Sequence, residues 1–256
     1  MLHSYFKTLY KRTMEESYTL VFKEIANALI DGGHCLDCGA SEGGSFDRLN
    51  EYIKLDKSRY NGIEWNEEAV NKAQHKGLKV VHGDLNRKLP FEDGQFQCIF
   101  GLSVLEHLLN GCAFMRECHR VLENGGRLIL LTPNISTYFT IALLLMGKMP
   151  SSGPHPDSNE LLTKEEIYKV RNHNLIHDSE SETPFHRHLV VFSYRVLRQY
   201  LTMIGFTEVH GYGFGLYPFP PFMQPVLERI DPYHCHQMVF VARKQSDDND
   251  LRKVRP

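Results

Sequence analysis

The residues with the clearest chemical meaning in this sequence form a glycine-rich turn. Residues 35–38 are a short apolar run typical of a strand, and a helix is expected to open soon afterwards, near Ser45. Between the two stand Gly39, Gly43 and Gly44, which lack a Cβ and tolerate positive φ. A ligand can therefore approach the backbone closely at this turn, which predicts a cofactor-binding loop.

Two acids decide which cofactor suits this loop. Asp37 and Glu42 would repel the pyrophosphate that a dinucleotide places on a helix N-terminus. Ser41 stands where G-x-G-x-x-G has its second glycine, and the Gly-Lys-Ser/Thr of a P-loop is missing. A ligand with an amino group and no phosphate fits better, and S-adenosylmethionine (SAM) is such a ligand.

Five ordered motifs between residues 34 and 134 resemble those of the class I SAM-dependent methyltransferases, in a small-molecule subgroup. The first, DCGASEG at 37–43, is similar to D-x-G-x-G-x-G with Ser41 replacing the middle glycine. The others are GIEWN at 62–66, GDLN at 83–86 with LPFEDGQF at 89–96, VLEHL at 104–108, and RVLENGGR at 120–127 with TPN at 132–134. One glycine loop would be weak support, whereas five motifs in order are specific.

The resemblance implies which residues hold SAM. Glu64 would accept the two ribose hydroxyls, unless it only caps the helix that follows. Asp84 would accept the adenine amine beside the amide of Leu85, unless it only caps a turn. Asp37 is expected to orient the loop amides, and Trp65 to pack on the cofactor or in the core. The complete expected cofactor set is Asp37, Gly39, Ala40, Gly43, Glu64, Trp65, Asp84, Leu85 and Ser103.

Methyl transfer is an in-line displacement, for which the enzyme mainly aligns the reactants and excludes water. A hydroxyl acceptor also benefits from a base. His107, close to Ser103 at the mouth of the expected crevice, could take that proton when neutral. A structural histidine bonded to backbone is an equally open interpretation. His188 is the second catalytic candidate, because residues 188–206 resemble a second motif of the same subgroup. Members of that subgroup methylate small molecules, often quinones, sugars or lipids, or accompany methionine biosynthesis.

The sequence predicts no metal site. His186, His188, His234, Cys235 and His236 stand in H-x-H and H-C-H spacings, which place neighbours on opposite faces of an extended chain. They form no recognised tetrahedral set. Cys35 and Cys38 form a C-x-x-C inside the strand that enters the glycine loop, where reduced core cysteines are the favoured interpretation.

Strand-like and helix-like segments alternate through the first half, which predicts an α/β fold with a Rossmann-like, doubly wound, mostly parallel sheet of about seven strands. Strands are expected at 34–38, 60–64, 78–82, 97–102, 126–132, 206–212 and 237–242. Helices are expected at 15–30, 44–53, 66–76, 111–123, 135–148, 163–172 and 193–204. All the motifs then fall at the carboxyl ends of strands, where such sheets bind ligands.

A single methyltransferase domain is expected over residues 1–244, with a frayed tail at 245–256. The span of about 55 residues that follows Asn134 is long for a connection, so we expect a lid at 135–190 that shapes the acceptor pocket. Phe214, Tyr217 and Phe222 belong to an aromatic and proline-rich segment that suits lid or core packing, or an apolar acceptor wall.

Composition excludes some partners. A formal charge of −2 over 256 residues gives no general attraction to nucleic acid or to an anionic membrane, so no nucleic-acid partner is expected. The N-terminus lacks a secretory h-region, and the apolar run at 141–146 is too short to span a bilayer. These features predict a soluble cytoplasmic protein.

The sequence thus predicts an enzyme that moves a methyl group from SAM to a small-molecule acceptor, such as a lipid- or sugar-linked hydroxyl, with S-adenosylhomocysteine (SAH) as product. The alternative is a SAM-binding regulatory or partner subunit with little activity of its own. Ser41 and Gln97 depart from the family pattern and keep that alternative open. A nicotinamide dehydrogenase is disfavoured by the acids in the loop.

Overall fold

A seven-stranded mixed sheet lies at the centre of the structure, a computed structural model that describes residues 2–150, 152–158 and 187–245. The strands are β1 (Cys35–Cys38), β2 (Tyr60–Glu64), β3 (Lys79–His82), β4 (Phe96–Leu102), β5 (Leu122–Pro133), β6 (Phe206–Phe214) and β7 (Gln237–Lys244). Their order across the sheet is β3-β2-β1-β4-β5-β7-β6. Strands β1 to β5 run parallel, and β7 is antiparallel to both β5 and β6. The predicted Rossmann-like, mostly parallel sheet is confirmed.

Seven α-helices flank the sheet within these described residues. They are α1 (Leu2–Leu29), α2 (Gly44–Leu49), α3 (Glu67–His75), α4 (Gly111–Val121), α5 (Tyr138–Leu145), α6 (Tyr194–Met203) and α7 (Gln224–Ile230). Parallel strands must be covered on both faces, and two apolar clusters meet that need. One cluster joins the sheet to α4 and α6, and the other joins it to α1, α2 and α3.

Several predicted boundaries are wrong, and one helix is missing from the prediction. The first helix begins at Leu2 and not near residue 15, because Leu9 and Thr13 are buried and extend the packed face of α1. The fourth helix ends at Val121, and β5 begins at Leu122, whose extended backbone pairs with Phe96. Helix α7 was not predicted at all.

Other expectations fall outside the part of the chain that the structure describes. The helix at 163–172, most of the lid at 135–190 and nearly all of the tail at 245–256 are among these, so they stay predictions.

No helix of the described residues is long and apolar enough to cross a membrane. All six cysteines are free thiols, and burial raises the pKa of Cys35 to about 12, in keeping with reduced core cysteines.

Candidate active site

The glycine-rich loop between β1 and α2 is held by backbone hydrogen bonds from the neighbouring strand. The amides of Gly39 and Ala40 donate to the carbonyl oxygen of Ile63 at 2.9 and 3.2 Å. Gly39 has φ +84°, and a Cβ there would lie 2.5 Å from Cγ2 of Val104. Both the backbone conformation and the close approach therefore require glycine at this position.

The Glu64 carboxylate ties the end of β2 to this loop. One oxygen accepts the amide of Ser41 and the other accepts the amide of Asn66, both at 2.9 Å. The cap of α3 is Asn66, whose side chain accepts the amide of Ala69 at 2.9 Å. Because each carboxylate oxygen has a second acceptor position, Glu64 can hold the loop and still accept ribose hydroxyls.

Ser41 occupies the position of the family's middle glycine with φ +46°. A left-handed conformation costs a residue with a Cβ roughly 1–2 kcal/mol. The hydrogen bond from the Ser41 amide to Glu64 holds the backbone in that conformation. The departure from the family sequence therefore leaves the turn itself intact.

Asp37 is buried at the end of β1, with 1% of its surface exposed. Its carboxylate accepts the hydroxyl of Tyr60 at 2.5 Å and a hydrogen bond from the side chain of Ser45. Burial raises the pKa of Asp37 to about 6, although these two hydrogen bonds act to lower it. Asp37 thus fastens β1 to β2 and to the start of α2, and its expected action on the loop amides stays a prediction.

Trp65 and Asp84 stand near the ends of β2 and β3. Trp65 is 59% exposed, so the alternative that placed it in the core is wrong. One carboxylate oxygen of Asp84 accepts the amide of Asn86 at 2.8 Å and its side-chain nitrogen at 3.0 Å. Asp84 therefore does cap a turn, as the alternative interpretation had it. Its contact with adenine, beside buried Leu85, stays a prediction.

Helix α1 places Tyr18, which the sequence did not indicate, beside Ser103 at the candidate site. Ser103, at the end of β4, has φ +54°, and its amide donates to the carbonyl of Leu131 at 2.8 Å. The Ser103 side chain is hydrogen-bonded to Tyr18 of α1, and the guanidinium of Arg48 lies 4.7 Å from the centre of the Tyr18 ring. Strain at a non-glycine residue is often found at functional sites.

The structure brings both catalytic candidates together. The ring centres of His107 and His188 are 5.1 Å apart. Nδ1 of His107 lies 3.0 Å from the carbonyl oxygen of Arg187, and Nδ1 of His188 lies against that of Ser152. A carbonyl oxygen only accepts hydrogen bonds, so both Nδ1 atoms carry the proton. The alternative given for His107, a histidine bonded to backbone, therefore describes its Nδ1 atom. In each ring Nε2 keeps the lone pair.

Glu106 lies close to the two histidines, with the ligand atoms of all three within 4.8 Å of one another. The sequence did not indicate this residue. One of its carboxylate oxygens accepts the hydroxyl of Thr132 at 3.0 Å, and its backbone carbonyl accepts the amide of Leu189 at 2.7 Å. Burial raises the pKa of Glu106 to about 7 and lowers that of His188 to about 3. The position of Glu106 beside His107 in the VLEHL motif was the signal in the sequence that could have identified it.

Further aromatic and imidazole rings surround this cluster. His155 stacks on His188 with ring centres 4.8 Å apart. The ring of Tyr217 stacks on that of His236 at 5.1 Å, and the Tyr217 hydroxyl is 2.8 Å from the Oγ1 of Thr13. Burial lowers the pKa of His236 to about 4, which keeps this imidazole neutral at pH 7. Tyr217 of the aromatic segment is thus packed inside the molecule.

The hydrogen-bond acceptors at the carboxyl edge of the sheet fit SAM. The Gly39 turn leaves no room for a Cβ, and the carboxylates of Glu64 and Asp84 suit a diol and an amine. The same carboxylates are poorly suited to a phosphate because of their charge. The loop and the acids therefore match the predicted cofactor.

Comparisons with known proteins agree with this geometry. Residues 36–130 match the family model described as "Methyltransferase domain". A protein of Mycolicibacterium smegmatis, named a probable S-adenosylmethionine-dependent methyltransferase, is 29% identical over 131 residues, which are 48% of this chain and 49% of that one. A demethylmenaquinone methyltransferase of Staphylococcus epidermidis is 28% identical over 111 residues, 36% of this chain and 44% of that one. The chain thus spans about half the length of these relatives.

Among solved structures, a SAM-dependent methyltransferase of Thermotoga maritima superposes with a TM-score of 0.51. Its sequence is 15% identical, and the match covers 94% of this chain and 99% of that one. At this identity the likeness shows the fold alone. The family implies SAM as the cofactor and SAH as the product.

Proposed function

Because the chain belongs to the class I SAM-dependent methyltransferases, we propose that it transfers a methyl group from SAM to a small-molecule acceptor. The observation that carries the proposal is the position of two groups of residues at the carboxyl edge of the sheet. The glycine loop follows β1 and is tied to Glu64 at the end of β2. The cluster of Glu106, His107 and His188 includes the turn after β4. Bound SAM supplies an electrophilic sulfonium methyl group.

The first group would hold the cofactor. Glu64 accepts the ribose hydroxyls, and Asp84, Leu85 and Trp65 surround the adenine. The loop backbone receives the methionine part, with Asp37 fixing the strand from which the loop starts. The proposed cofactor set is Asp37, Gly39, Ala40, Gly43, Glu64, Trp65, Asp84, Leu85 and Ser103. The tie between Glu64 and the Ser41 amide supports this arrangement, because it keeps the ribose acceptor and the loop at a fixed separation.

The second group would receive the acceptor. With Nδ1 bound to the Arg187 carbonyl, His107 presents Nε2 as the nitrogen that can take a hydroxyl proton. His188 is a weak base at neutral pH, since burial lowers its pKa to about 3. We therefore assign proton removal to His107, and to His188 the positioning of the His107 ring, which it contacts edge to face.

We further propose a lipid-like or sugar-linked hydroxyl as the acceptor. Helix α5 begins soon after the carboxyl end of β5 and exposes large apolar side chains, with Phe139 40%, Leu144 55% and Leu145 84% exposed. Such a surface suits an apolar substrate. One relative is named for demethylmenaquinone, which agrees with an apolar acceptor.

Release of SAH tests the proposal. The protein is incubated with SAM and a panel of phenols, quinols, sterols and glycolipids, and SAH is measured by mass spectrometry. We expect SAH with at least one hydroxyl acceptor, and a rate lower by about 10²–10⁴-fold in His107→Ala, the usual contribution of a general base. His75→Ala, which removes an exposed histidine on α3, should leave the rate unchanged. SAM binding without SAH release from any acceptor would instead indicate the regulatory subunit.

A further inference from the structure

Three side chains with metal-ligating atoms meet at the acceptor end of the crevice. Glu106, His107 and His188 each offer one ligand atom, and these atoms all lie within 4.8 Å of one another. We propose that the three residues form a binding site for one divalent transition-metal ion, with Zn²⁺ as the ion that suits them best.

The spacing fits a small cation. Bonds of about 2.0–2.2 Å from Zn²⁺ to nitrogen or oxygen place tetrahedral ligands roughly 3.4 Å apart. The present separation of at most 4.8 Å is larger than that value, so the three side chains would move slightly closer together around a bound ion. His107 lies in a short 3-10 turn next to Glu106. The amide of His188 donates to Nδ1 of His155, and the amide of His155 donates to the carbonyl of His188. The amide of Leu189 donates to the backbone carbonyl of Glu106.

The second nitrogen of each imidazole is bound in the way that metal-ligating histidines require. Such histidines almost always donate their other N–H to a carbonyl or a carboxylate, which fixes the tautomer and the ring orientation. His107 does so to the carbonyl of Arg187, and His188 does so to that of Ser152. Each neutral ring therefore carries its lone pair on Nε2, the nitrogen that would bind the ion.

The surroundings of the cluster also favour a cation. Glu106 is only 2% exposed, and a buried carboxylate is costly unless a positive charge compensates it. The hydroxyl of Thr132 is a neutral partner and does not supply that charge.

The ligand set indicates the class of metal. Two imidazoles and one carboxylate suit Zn²⁺ and other first-row ions, whereas Mg²⁺ and Ca²⁺ prefer oxygen ligands alone. Three protein ligands leave a coordination position open, as in catalytic zinc sites. The role of that position rests on the proposed function: a hydroxyl acceptor bound there would lose its proton more readily. His107 would then be a metal ligand and not the base. The bound ion would promote the loss of the acceptor's proton in its place.

Titration of Zn²⁺ alone tests the site. The full chain is produced without a histidine tag, freed of metal with a chelator and titrated with ZnCl₂ in a calorimeter in the absence of SAM. We expect one ion per chain with a Kd at or below about 1 µM. His188→Ala and Glu106→Gln should each weaken binding by at least ~10-fold, the smallest loss usual even for residues that only support a ligand. His75→Ala is the matched control and should bind as the wild type does.

A second measurement needs no variant, in case buried Glu106 is required for folding. Co²⁺ is added to the metal-free wild type and its visible absorption is recorded. Strong d–d bands without a thiolate charge-transfer band support nitrogen and oxygen ligation at this cluster. Absence of binding, thiolate bands from one of the six cysteines, or Zn²⁺ binding that both variants leave unchanged would overturn the assignment.

The metal site and the proposed function can fail separately. SAM binding is measured in the same preparations, with and without Zn²⁺. Zn²⁺ binding without any SAM binding would refute the methyltransferase proposal and leave the metal site standing. SAM binding without Zn²⁺ binding would refute the metal site alone and return proton removal to His107.

Discussion

Replacing Glu64 separates two roles that the structure combines in one carboxylate. Glu64→Ala removes the hydrogen bonds to the amides of Ser41 and Asn66, each 2.9 Å long. Hydrogen bonds to a charged group contribute about 1.5–3 kcal/mol. Since Ser41 and Asn66 are exposed, water can replace these bonds, and we expect a loss of stability of only about 1–2 kcal/mol. Lost ribose contacts should weaken cofactor binding by about 10- to 100-fold.

The assay is calorimetric titration of SAH and of its 2′-deoxyribose analogue into both proteins. If Glu64 binds the ribose, wild type should prefer SAH by about 10-fold or more, and Glu64→Ala should lose that preference. Asp56→Ala is the control, because its carboxylate accepts the amide of Ser58 at 2.7 Å in an equivalent exposed turn. That variant should keep both affinities. Equal weakening of both ligands in Glu64→Ala, with the preference retained, would refute the ribose role and leave only support of the loop.

Three more predictions concern the loop, the buried acid and the single tryptophan. Gly39→Ala should lower the free energy of unfolding by roughly 2–5 kcal/mol in urea, because φ is +84° and the new Cβ would lie 2.5 Å from Val104 Cγ2. Gly44→Ala, with nothing within 4 Å of its Cβ, should not destabilise, and equal losses in the two variants would contradict the reasoning. The folded-state pKa of Asp37 is raised to about 6 from 3.8, so its contribution to stability is fully present below about pH 4 and is lost as the pH rises through about 6. The wild type should therefore lose up to roughly 3 kcal/mol between pH 4 and 7 relative to Asp37→Asn, and a difference that does not vary with pH would count against it. Trp65, the only tryptophan and 59% exposed, should change its fluorescence when SAH binds; an unchanged signal under conditions where calorimetry detects binding would remove Trp65 from the site.

The sequence predicts strands β1 to β4 closely because their apolar runs are short and are bounded by glycines and acids. β2 has the predicted limits of 60–64, and β1 differs by one residue. The same local signals place Gly39 and Glu64 correctly at strand ends. These features depend on residues close together in the chain, which is why they can be recognised without a structure.

Contacts between distant segments could not be predicted in this way. His107 and Arg187 are 80 positions apart, and no periodic pattern indicates that Glu106 and His188 would meet. Tyr18 reaches Ser103 from a helix whose first half mixes polar and aromatic residues and begins at Leu2, earlier than the sequence predicts. Spacing rules examine neighbours along the chain, so they do not consider ligands for His188 that come from a different loop.

The most direct test of the central claim is calorimetric titration of SAM, SAH and NADH into the wild-type protein. The account predicts micromolar binding of SAM and SAH, one molecule per chain, and no binding of NADH because Asp37 and Glu42 disfavour its pyrophosphate. Absence of SAM binding would contradict the methyltransferase account. Binding of NADH in its place would indicate a dehydrogenase.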